Sequence, residues 1–90
     1  MKSAFEIAME RLEKESGPGR KLSDAQKAEI AEIDRRFDAS VAEEKLTFDT
    51  KMAKAQSFEE METLRAELAK ALADLETRRE RAKEAVWNEA

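Results

Sequence analysis

Apolar residues recur along this chain at helical spacing, in two long stripes separated by a short polar break. The first stripe reads Ile30, Ile33, Phe37, Val41, Phe48, Met52 and Ala55, and the second Met61, Leu64, Leu68, Leu72, Leu75, Ala82 and Val86. Steps of three, four and seven residues place each set on one side of an α-helix. No Gly or Pro interrupts either stretch, so the pattern predicts one helix from Asp24 to about Ala55 and another from Phe58 to about Asn88. At 1.5 Å rise per residue each would be on the order of 45–50 Å long.

The ends carry start signals. Ser23 is followed three residues later by Gln26, and Ser57 by Glu60. Each is a capping box, in which the hydroxyl accepts from the third helical N–H while the longer side chain returns to the N–H of the cap. Asp24 adds negative charge near the positive end of its helix dipole. A third box, Ser3 to Glu6, opens a shorter amphipathic helix over residues 3–15 with Phe5, Ala8, Met9 and Leu12 on one side. Glu10 and Lys14 form a favourable pair one turn apart on it. Ser16-Gly17-Pro18-Gly19 ends that helix and starts a linker over residues 16–22.

The two long stripes match each other in antiparallel register. Met52 with Met61, Phe48 with Leu64, Val41 with Leu72, Phe37 with Leu75 and Ile30 with Ala82 have residue numbers that add to 112 or 113. A constant sum is what a closed hairpin requires, with its turn near residues 55–58. The spacing also contains steps of eleven, as in Ile30, Val41 and Met52, mixed with steps of seven, as in Met61, Leu68, Leu75 and Ala82. The mixture favours a hairpin with little net supercoil. The expected fold is therefore all-α: one helical domain over residues 1–90, a long antiparallel two-helix coiled-coil hairpin (23–90) preceded by the short helix. Two helices enclose only a narrow seam, so the short helix or a second copy of the chain should cover it.

Composition sharpens this reading. Charged residues make up 42% and aromatic residues 6%, with two glycines and one proline, as in long helices. So charged a chain can be disordered, but its apolar 41% recurs periodically and leaves enough to bury. The net charge of −4 is spread along the chain, a poor electrostatic footprint for nucleic acid or an anionic membrane. No stretch approaches the roughly 20 apolar residues of a membrane span, and residues 1–15 lack the apolar core of a signal peptide. A cytoplasmic protein is expected.

Catalytic chemistry has little to draw on. His, Cys and Tyr are all absent. The commonest general base, the nucleophilic triads, Cys/His zinc sites and the Glu-x-x-His di-iron pattern are excluded. Glu43-Glu44 and Glu59-Glu60 read as solvated helix faces, and no phosphate-binding loop or calcium loop is present. The expectation is a non-enzyme without cofactor or metal.

Candidate contact residues fall into two groups. Phe5, Met9, Leu12, Phe58 and Trp87 are candidate partner contacts. Trp87 and Val86 lie at the open end of the hairpin, where Trp87 either packs against the short helix or serves as an exposed anchor. Phe58, at the turn, is either a local clamp or a contact point. Arg78, Arg79, Arg81 and Lys83 form the one basic cluster. It reads either as a nucleic-acid or acidic-partner contact, or as basic residues placed against a helix C-terminus, with Asp74 one turn before Arg78 as an ion-pair partner. Arg79 stands on the apolar stripe opposite Ile33, so its stem should pack while its guanidinium reaches an acidic residue of the other helix. Glu44, opposite Leu68, is a similar interruption of the kind that can fix register.

The opening Ser3-Ala4-Phe5-Glu6-Ile7-Ala8-Met9-Glu10-Arg11-Leu12, the segment Lys27-Ala28-Glu29-Ile30-Ala31-Glu32-Ile33 and the ending Lys83-Glu84-Ala85-Val86-Trp87 resemble a family of short, uncharacterised bacterial coiled-coil hairpin proteins. That resemblance implies no activity. Phe58-Glu59, Leu64-Arg65 and Leu68 are similar to the second helix of the UVR-type hairpin, a protein-interaction motif of excision-repair proteins. Met61-Glu62 replaces the two alanines that motif prefers, and Ala66 its acid. The functional expectation is a protein-protein interaction or scaffold protein that self-associates, a homodimer being one form, or docks on a larger assembly. The alternative is a nucleic-acid or nucleoprotein accessory protein using the basic cluster.

Overall fold

The computed structural model describes residues 4, 6, 7, 10, 11 and 22–89. Among these the regular structure is entirely helical: α1 spans Asp24–Ala53 and α2 spans Phe58–Asn88. The two lie side by side in an elongated body of 58 × 22 × 17 Å. Their antiparallel register is the one the stripes require, since Gln26 touches Val86 and Asp34 touches Arg79 across the seam. Every residue of both apolar stripes is buried or half-buried. Ile33, Phe48, Val86 and Trp87 are the buried apolar residues, so burial is deepest toward the open end.

α1 begins as its cap dictates. Ser23 is extended, its Oγ accepts from the Gln26 N–H at 3.1 Å, and Gln26 Oε1 accepts from the Ser23 N–H at 2.9 Å. The box thus satisfies two backbone donors that a helix start leaves open. α1 ends at Ala53, two residues short of the expected end, and the turn is shifted to residues 54–57. The N–H groups of Lys54 and Ala55 donate to the carbonyls of Lys51 and Met52, each at 3.1 Å, which tightens the last turn.

The cause lies in the next cap. Ser57 must be extended to begin α2, and its Oγ accepts from the Glu60 N–H at 3.0 Å. The second half of the expected box is not formed: Glu60 Oε2 accepts instead from the N–H of Gln56, at 2.7 Å. The carboxylate therefore braces the residue before the cap and holds the turn open. Lys54 and Ala55 are thereby left out of α1 and form the turn that leads into α2.

Ala4, Glu6, Ile7, Glu10 and Arg11 have helical backbone. The rest of the expected short helix, with Ser3, Phe5, Met9 and Leu12, lies outside the described residues, as does the linker up to residue 21.

Candidate functional site

Two places on the hairpin hold unusual side chains. The first is the open end, where a polar cluster sits among the most buried residues. Lys83 is only 3% exposed. Its Nζ lies 2.9 Å from Asp34 Oδ1 on α1 and 3.4 Å from Glu6 Oε1 in the N-terminal segment. One ammonium thus ties three stretches of chain together. Arg79, one turn earlier on α2, places Nη2 at 2.8 Å from Asp38 Oδ1 and Nη1 at 3.5 Å from Asp34 Oδ1. Asp34 Oδ1 is therefore shared by two cations in contacts that are ionic rather than aligned hydrogen bonds. Arg79 Nε is buried without a hydrogen-bond partner among the described residues, the cost of bringing a guanidinium into the seam.

Further polar contacts close this end. Gln26 Nε2 donates to the Val86 carbonyl at 3.1 Å, so the side chain that completes the α1 cap also joins the last turns of α2. The Ala4 N–H donates to Glu80 Oε1 at 3.2 Å. With Glu6 on Lys83, this sets the N-terminal segment against the side of α2 that carries Glu80 and Lys83. Trp87, on the same turns, is 5% exposed. Of the two roles open to it, the structure places it in the interior.

The basic cluster is divided by this packing. Arg79 and Lys83 face inward, Arg79 reaching the acids of α1 as its stripe position predicts. Arg78 is exposed and paired with Asp74 at 3.1 Å, and Arg81 is exposed. The four do not form one outward surface. The depth of Lys83 has a signal in the sequence that the apolar stripes do not reveal. Asp34 and Asp38 on α1 are spaced as Lys83 and Arg79 are on α2, so two cross-seam ion pairs can form together.

The second place is the tip. Phe58, the first residue of α2, is 77% exposed. It is not a clamp over the turn. Its position is nonetheless well defined, because Ser57 and Glu60 brace the turn from both sides. Lys51 Nζ sits 4.7 Å from the centre of the Phe48 ring, a cation–π contact that covers the last large core residue of α1. A cleft of about 360 Å³ beside the turn is lined by Lys51, Lys54, Ala55, Glu60, Thr63 and Leu64. Phe58 does not line it.

Among the described residues no helix is long and apolar enough to cross a membrane, and no three carboxylates converge as a metal site would need. No protein-family model matches the chain, and neither the curated proteins nor the solved structures show a significant match to it.

Proposed function

We propose that this chain is a non-enzymatic protein-protein interaction or scaffold module, a helical hairpin whose tip is its contact region. The observation that carries this reading is Phe58: a large aromatic side chain, 77% exposed, on a turn braced by two hydrogen bonds around the α2 cap. Exposed aromatic groups on rigid supports are what interface anchors are made of, because little entropy is lost when they dock. The half-exposed seam near the tip adds apolar surface around it. Coiled-coil packing of the long helices, a short amphipathic helix over residues 3–15 and a cytoplasmic setting belong to the same reading, with membership of the bacterial hairpin family that the opening and ending resemble. Helical backbone at Ala4, Glu6, Ile7, Glu10 and Arg11 supports the short helix.

The nucleic-acid alternative is less well supported, since Arg79 and Lys83 are committed to Asp34, Asp38 and Glu6. Immobilised full-length chain, wild type and Phe58→Ser, tests the proposal. A defined set of proteins retained from the native host by the wild type and lost with Phe58→Ser is the expected result. Retention independent of Phe58 would remove the tip from the reading.

A further inference from the structure

The side of α2 that receives the N-terminal segment continues toward the tip beyond the contacts that Ala4 and Glu6 make with it. Eleven residues make almost three full turns of an α-helix, so residues eleven apart lie on nearly the same side. Stepping back from Lys83 gives Leu72 and then Met61; stepping back from Glu80 gives Ala69 and then Phe58. Along each row exposure rises toward the tip. Lys83 is buried while Leu72 and Met61 are half-exposed; Glu80 is half-buried while Ala69 and Phe58 are exposed. α1 behaves likewise, since Asp34 is half-buried and Lys45, eleven residues on, is exposed. The side of the hairpin that holds the N-terminal segment thus runs on to the tip, where Leu72 and Met61, at the edge of the seam, lie beside exposed Ala69 and Phe58. Its open-end part is occupied by the N-terminal segment, through Ala4 on Glu80 and Glu6 on Lys83.

We infer that the tip half of this surface, centred on Leu72, Ala69, Met61 and Phe58 with Lys45 and Asp49 beside them, pairs with the same surface of a second copy in an antiparallel, two-fold dimer. This rests on the protein-interaction reading above and names the partner. Continuity with the intramolecular interface is one argument: the same side of α2 already accepts a helical segment of this chain. Charge is the second. Asp49 lies eleven residues after Asp38, as Lys45 does after Asp34, so both point to this side, one turn apart and opposite in sign. Neither is in an ion pair among the described residues. A two-fold axis between them sets Lys45 of each copy against Asp49 of the other, as an isologous interface requires.

The occupied open end chooses the orientation. Two hairpins stacked in parallel would bring both N-terminal segments to the same place, whereas antiparallel hairpins overlap by their tip halves and leave both segments undisturbed. The strip from Leu72 to Phe58 is roughly 21 Å long. Such a small contact gives a weak dimer, below the burial of a standard stable interface.

Sedimentation equilibrium of the full chain, taken up to about 1 mM, tests this. The wild type is expected to shift with concentration from 10.3 kDa toward twice that mass. Phe58→Asp should weaken pairing at least about tenfold with helicity unchanged, since the side chain is exposed. Lys45→Asp should also weaken it, and Lys45→Asp combined with Asp49→Lys should restore it. A wild type that stays monomeric throughout overturns the inference, as does a dimer indifferent to all three variants or an assembly that grows beyond two. A monomer that still retains host proteins in a Phe58-dependent way would overturn self-pairing while leaving the interaction reading standing.

Discussion

Replacing Lys83 by Met removes the ammonium at the open end while keeping most of the side chain's length. Truncating one partner of a fully buried ion pair costs about 3–5 kcal/mol, because the other charge is left desolvated. Here the groups left behind are better hydrated: the side chains of Asp34 and Glu6 are 35% and 47% exposed. Arg79 also continues to neutralise Asp34. The cost therefore falls to about 1–2 kcal/mol, between the net worth of an ordinary hydrogen bond and that of one to a charged group. In a domain of this size that lowers Tm by about 4–16 °C. Far-UV circular dichroism on heating measures it, and fluorescence of Trp87, the only tryptophan, follows the open end separately. Lys70→Met, at an exposed position, is the control and should change stability by less than about 0.5 kcal/mol. A Tm for Lys83→Met equal to or above the wild type would refute the reasoning. It would mean that desolvation of the buried ammonium already offsets its contacts, as happens when some buried ion pairs are replaced by apolar residues.

Three other substitutions address other parts of the hairpin. Gln26→Ala removes both the return half of the Ser23 cap and the bond to the Val86 carbonyl, and should cost about 1–2 kcal/mol in urea unfolding; a loss no larger than that of a lone cap would detach the Val86 bond from stability. Ser57→Ala should cost about 1 kcal/mol, and faster amide exchange in the first turn of α2 would show where; unchanged exchange there contradicts the capping role. Trp87→Ala should be the most damaging of all, at about 3 kcal/mol or more, and a thermal melt shifted by only a degree or two would mean that Trp87 is not an interior residue.

Much of this architecture is a property of the sequence taken alone, and the reason is that its determinants are local or periodic. Ser23 with Gln26 caps α1 within a single turn of chain, and the pattern Ile30 to Ala55 set against Met61 to Val86 admits one antiparallel register. Arg79 could be expected to reach an acidic residue of α1 because its stripe position packs its stem in the seam, but which acids it meets, Asp38 and Asp34, came from the structure. What only the tertiary structure decided concerns residues whose local context is ambiguous. Phe58 and Trp87 are both aromatic residues near helix ends, yet one is exposed and the other buried. Spacing within a helix cannot tell them apart, because burial at the edge of the seam depends on whether a further segment crosses there, and Ala4 and Glu6 reach only the open end. The same crossing turns Lys83 from one member of a basic run into the most buried polar side chain described. The turn, too, was settled by competition between neighbours: the cap of α2 and the Glu60 carboxylate take backbone groups that α1 would otherwise have used, so α1 stops at Ala53.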